Sequence, residues 1–137
     1  MKKYFTNSIT TGATRDEVES VLLNVEQIMA WNPAISKVVS ININTFSIHR
    51  DQKAIVNDEI ISVAKDDGKI IWHSHGKKLE YKLVFELLAS GQQTVTTETL
   101  FVVDDGYLPL GLLRPIAKNA FNHNLQMLGE LWDKFVS

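Results

Sequence analysis

The sequence predicts an α+β domain: a curved antiparallel sheet of about seven strands wrapped around a long C-terminal helix, with two short helices after the first strand. Three observations carry that expectation. Leu112 to Phe135 keeps helical spacing, with Leu113, Ala117, Ala120, Phe121, Leu128, Leu131 and Phe135 on one face and Gly129 among the residues off it. Ile35 to Val103 is rich in β-branched and aromatic residues broken by turn signals. Thr14-Arg15-Asp16-Glu17 forms a capping box, so a helix begins there, after a β-rich stretch at residues 3 to 11.

Taken in order, residues 3 to 11 read as the first strand, ended by Gly12. In the capping box the threonine hydroxyl accepts from the amide three residues on while Glu17 reaches back. Asp16 and Glu17 also suit the positive end of the helix dipole. Val18, Val21, Leu22, Val25, Ile28 and Met29 continue the helical period, and Asn24 marks a break between two short helices. Trp31-Asn32-Pro33 stops the second, since a residue before proline avoids the helical region.

Strands are expected at Ser36–Ile43, Thr45–Arg50, Ala54–Lys65, Lys69–His75, Leu79–Ala89 and Thr94–Val103. Turns fall at Asp51-Gln52, at Asp66-Asp67-Gly68, at Gly76-Lys77-Lys78 and at Ser90-Gly91-Gln92. Tyr81, Leu83, Phe85 and Leu87 alternate with Glu80, Lys82 and Glu86, so the first set faces the interior. A three-residue turn at Ser90 to Gln92 would place Val95, Thr97 and Phe101 inside and Glu98 outside. A slip of one residue would bring Glu98 inside instead. Asp104 to Gly111 is a loop, and Pro115 fits the first turn of the last helix.

The 137 residues are expected to form one domain, 1–137, and 45% hydrophobic against 22% charged residues is ordinary for a globular chain. A net charge of −2, with no basic run longer than two, argues against nucleic acid as a partner. The absence of cysteine removes thiolate chemistry and cysteine-ligated zinc and suits a reducing compartment, so a cytoplasmic location is expected. No apolar run reaches the roughly 20 residues of a membrane span, so no stable membrane insertion is expected; nor is a signal-peptide core present.

A single helix cannot fill the concave face of so many strands, so a space lined by both apolar faces should lie between them. The order of elements, with Ala13 to Val18, Trp31-Asn32-Pro33, Phe85-Glu86-Leu87, Gln93 to Glu98 and Phe121…Asn124-Leu125, resembles the START-like superfamily (SRPBCC). That superfamily includes the birch-pollen-allergen-like helix-grip fold, and the likeness is greatest to its bacterial polyketide cyclase/dehydrase-type members. The resemblance covers essentially the whole chain. It implies a cavity for lipids, sterols, polyketides or similar molecules, but no single reaction.

The residues proposed to contact a ligand are Trp31, Trp72, Tyr81, Phe85, Phe101, Phe121, Asn124 and Leu128. Asn124 stands out because it is an amide near the centre of the helix's apolar face, where it must find a partner in protein, water or ligand. His73 and His75, two apart on a strand, share a face and could ligate a metal or build an acid/base pair with a nearby Glu59. If Trp72 points inward they point outward, and no third metal ligand is evident from the spacing. Glu98, if inward, would have a raised pKa and could move protons on a bound carbonyl compound. No phosphate loop, nucleophile elbow or metal set appears, so no catalytic residue, cofactor or metal is assigned. The expected function is binding of a small hydrophobic ligand for sequestration or transport. The alternatives are a cyclase or dehydratase using Glu98 or a histidine, and a protein-interaction role around Tyr107, Leu108 and Leu110, residues that could equally form a lid.

Overall fold

In the computed structural model, described over residues 1–51, 57–76, 79–104, 106 and 108–133, the capping box sets the first helix as expected. Thr14 Oγ1 accepts from the Glu17 amide and the Glu17 carboxylate accepts from the Thr14 amide. The helix α1 (Arg15–Leu23) follows the first strand β1 (Lys2–Thr11), and Asn24 separates it from a short 3₁₀ helix (Val25–Ala30). The strands β2 (Ile35–Asn42), β3 (Thr45–Arg50), β4 (Asp58–Asp66), β5 (Lys69–His75), β6 (Glu80–Ser90) and β7 (Gln93–Val102) come next, and the helix α2 (Leu110–Asp133) closes the chain.

All strands lie in one antiparallel sheet in the order β1-β7-β6-β5-β4-β3-β2. The β4–β5 hairpin turns at Asp67 and Gly68, whose φ angles of 51° and 75° are what a type I′ turn demands. The Asp51-Gln52 turn, the start of the expected fourth strand at Ala54, Lys77 and Lys78, Tyr107 and Phe135 all include or lie at positions outside the described residues.

The register of β6 and β7 corrects one expectation. Ser90 pairs with Gln93, so the turn holds two residues, Gly91 and Gln92, and not three. Gly91 has φ +63° at the first central position, the backbone that a two-residue type II′ turn requires and that glycine adopts without strain. Every side chain of β7 therefore changes face. Thr94, Thr96, Glu98, Leu100 and Val102 are buried, while Val95, Thr97 and Phe101 lie on the other side.

Two further differences concern α2. It starts at Leu110, so Pro115 is its sixth residue and sits in the second turn. Gly129, expected off the apolar stripe, is buried against β1: a Cβ there would come within 2.8 Å of Ile9 Cδ1. The helix packs along β1 at this end, where Leu125 and Leu128 are fully buried. Its first half, with Leu113, Ala117 and Phe121 only half-buried, touches β1, where Asn7 Nδ2 donates to the Lys118 carbonyl at 3.1 Å, and stands off the strands beyond it.

Candidate functional site

Where the first half of α2 stands off the strands beyond β1, a cavity of about 400 Å³ opens. Its helix side carries Leu113, Ile116, Ala117, Ala120, Phe121 and Asn124; its sheet side carries Ile61, Trp72, Tyr81, Leu83, Glu98 and Leu100. Ile28, Trp31 and Asn32 close one end, and Tyr4 and Leu110 lie at the join of β1 and α2. At that join β1 bulges between Lys3 and Phe5, so both Tyr4 and Phe5 turn inward; the Tyr4 hydroxyl donates to the Leu110 carbonyl at 2.5 Å. The Arg114 guanidinium lies 5.9 Å from the centre of the Tyr4 ring.

Of the expected contact residues, Trp31, Trp72, Tyr81, Phe121 and Asn124 stand on this wall. Trp72 packs 5.7 Å from Trp31 and 5.4 Å from Phe85, ring centre to ring centre, and its indole N–H donates to the Leu22 carbonyl at 2.9 Å. Phe85 and Leu128 are fully buried in the core behind the wall, filled in by their neighbours on all sides. Phe101 stands opposite Lys82 on the outer face, a direct consequence of the two-residue turn. Leu110, considered as part of a partner surface or a lid, forms part of the cavity wall, and Leu108 beside it is half-buried.

The polar groups on the wall fall into two kinds. The first is satisfied within the protein. Glu59 is buried on the inner face of β4, in step with Ile61 and Val63, and accepts from Arg50 (2.9 Å), Ser74 (2.7 Å) and Tyr81 (2.9 Å). Burial and the adjacent Glu59 hold the Tyr81 phenol far above its ordinary pKa, so it stays a donor. A buried carboxylate is tolerable only with such partners, and this cluster fixes β3, β4, β5 and β6 to one another.

The second kind has capacity left over. Glu98 lies between Phe85 on β6 and Asn7 on β1 and is 2% exposed. Burial pushes its carboxyl up to about 8, with a hydrogen bond from Asn7 Nδ2 (3.3 Å) acting in the opposite sense. It is therefore mostly protonated near neutral pH and can donate. The Asn124 amide, on the helix side, has no hydrogen-bond partner among the described residues. The orientation of Glu98 reverses the outward placement that a three-residue turn would have given.

His73 and His75 project from the outer face of β5, as the inward position of Trp72 requires, and take no part in the cavity. His49 is paired on both ring nitrogens, with Asp58 at 2.6 Å and Asp51 at 2.9 Å, and His123 is exposed. Sequence reasoning missed Arg50, Tyr4 and Asn7 as neighbours of the site. Glu59, considered as an acid/base partner for His73 and His75, lies instead on the opposite face of the sheet, in the inward alternation of Ile61 and Val63.

No family model and no curated protein matches the chain. Among solved structures it is similar to a START superfamily protein from Mycobacterium smegmatis, with a TM-score of 0.79 at 14% identity over 97% of this chain and 99% of that one. It is also similar to the Zhui aromatase/cyclase from a Streptomyces species (TM-score 0.72, 15% identity, 97% and 94% covered). Truncated norcoclaurine synthase from Thalictrum flavum gives a TM-score of 0.73 at 10% identity, with 96% and 95% covered. The chain has the START-like helix-grip fold. Among the described residues no helix is long and apolar enough to cross a membrane.

Proposed function

We propose that the chain binds a small hydrophobic molecule, of lipid, polyketide-like or isoprenoid type, in the cavity between sheet and C-terminal helix, and sequesters or transports it. The observation that supports this reading is the hollow itself: about 400 Å³, walled mainly by aliphatic and aromatic side chains. Protein interiors otherwise pack with few voids larger than a water molecule, and pockets of this size and lining suit small ligands. Each 100 Å² of apolar ligand surface buried there contributes about 2.5 kcal/mol, so affinity needs few polar contacts. Asn124 and the protonated Glu98 would orient a ligand bearing one carbonyl or hydroxyl group. The reading places the protein in the cytoplasm, with no nucleic-acid partner.

The test is native purification, solvent extraction and mass spectrometry of what co-purifies, followed by titration of the extracted compound against Trp fluorescence, since Trp31 and Trp72 flank the cavity. Saturable quenching at one site per chain is expected. No extractable compound, together with no saturable binding of a lipid and aromatic probe set, refutes the proposal.

A second reading is supported by Glu98 alone: a carboxyl inside the pocket with a pKa near neutrality can act as a general acid or base on a bound polyketide-like carbonyl compound. Two of the similar structures carry the names of an aromatase/cyclase and a synthase. Here Glu98→Gln should abolish turnover of the extracted compound while its affinity changes by less than about threefold. Equal turnover in the variant removes Glu98 from the chemistry.

A further inference from the structure

On the outer face of the sheet, away from the cavity, His73 and His75 of β5 and Glu80 of β6 come together. The two imidazole rings are 3.9 Å apart between centres, inclined by 40°, and His73 Nε2 lies 3.1 Å from Glu80 Oε1. One ligand atom from each residue can be chosen so that all three lie within 4.8 Å of one another. The strand spacing explains the meeting. Side chains two apart on β5 share a face, and Glu80 stands directly across from His75 in the β5–β6 ladder.

We infer that His73, His75 and Glu80 form a binding site for a divalent transition-metal ion of the zinc type. Two imidazoles and one carboxylate are the donor set that such ions favour over calcium or magnesium, which want oxygen ligands. A zinc ion needs its donors about 2.0–2.2 Å away and hence roughly 3.3–3.5 Å from one another. The observed spread is close enough for side-chain rotation to narrow, since all three residues sit on paired strands and none is sealed in the core. Three protein ligands leave the fourth position to water, so the ion exchanges with solvent. Bound there, it joins β5 to β6 beside Gly76.

Lys82 is the opposing charge: it stands directly across from His73 on the same face. Its ammonium repels the ion at this partly solvated surface, which makes its removal a test in the opposite direction to the ligand variants.

Chelator-treated full-length protein is titrated with zinc chloride at pH 7.5 by calorimetry, with thermal unfolding in parallel. The expected result is one ion per chain at micromolar Kd and a thermal midpoint that rises with zinc. His73→Ala and His75→Ala should each weaken binding by tenfold or more, and Glu80→Gln should weaken it severalfold. Lys82→Ala should tighten it by about two- to threefold. His49→Ala and His123→Ala should leave it unchanged. Circular dichroism checks that each variant is folded. No site tighter than millimolar, unchanged affinity in both His73→Ala and His75→Ala, or loss of binding in His49→Ala, which would place the ion at the His49–Asp58 pair, each overturns the assignment.

Discussion

Glu98→Gln separates the consequences of burying a carboxyl from everything else that titrates. The side chain is 2% exposed and its pKa rises from 4.5 to about 8 on folding, chiefly through desolvation. Below pH 4.5 the group is protonated folded or unfolded and costs nothing. Between 4.5 and 8 the unfolded chain has lost the proton while the folded one keeps it, so the folded state binds more protons and stability falls as pH rises. The slope approaches about 1.4 kcal/mol per pH unit. From pH 5 to pH 8.5 the cumulative loss from this one group is roughly 4 kcal/mol, and above pH 8 it levels off. Glutamine keeps the oxygen that accepts from Asn7 and cannot ionise. Urea unfolding of both proteins at pH 5, 6, 7, 8 and 8.5, compared as a difference, cancels the histidines and surface carboxylates they share. The variant should be less pH-sensitive by that amount, with its advantage largest at pH 8.5. Parallel curves for the two proteins would mean that Glu98 keeps its ordinary acidity in the fold, and the neutral donor inside the pocket would be lost.

Other expectations follow from the same geometry. Arg50→Ala leaves the Glu59 side chain, 0% exposed, with its charge uncompensated, and should cost about 3–5 kcal/mol in chemical denaturation; a loss under 1 kcal/mol would show that Ser74 and Tyr81 suffice. Phe121→Ala removes a half-buried ring that lies 5.3 Å from Phe5 and should cost about 2 kcal/mol, while shifting ligand preference toward larger compounds. Unchanged ligand selectivity would take Phe121 out of the binding wall. Thr14→Ala loses the reciprocal cap of α1 and should lower stability by about 1 kcal/mol without affecting ligand affinity.

The architecture was legible because its signals are local and redundant. The capping box, the Asp67-Gly68 turn and the alternation from Tyr81 to Leu87 each specify an element on their own, and the structure agrees with all three. The site was less legible, and β7 shows why. Its two faces are Thr94, Thr96, Glu98, Leu100, Val102 and Val95, Thr97, Thr99, Phe101, which are nearly equal in apolar content. Hydropathy could not choose between them; the decision rested on whether Gly91 opens a two- or a three-residue turn, a matter of backbone angles. The helical wheel had a similar blind spot. It ranks positions by polarity and so treated Gly129 as indifferent, although the missing side chain is what lets α2 close on Ile9. The third partner of the two histidines was hidden for a different reason. Glu80 becomes their neighbour only once the β5–β6 register is known.

The sheet order sets a condition on how the chain can be made. Among the described residues β1 pairs only with β7, whose partners lie as many as about a hundred positions later, as in Lys2 with Val102. On a ribosome the first strand must therefore wait, with Phe5 and Ile9 uncovered, until β7 has emerged. Joining β1 to β7 across so long a separation is slow compared with the local hairpins between them, and the pocket exists only once α2 has docked on the completed sheet. A molecule destined for that interior therefore meets walls that are already in place.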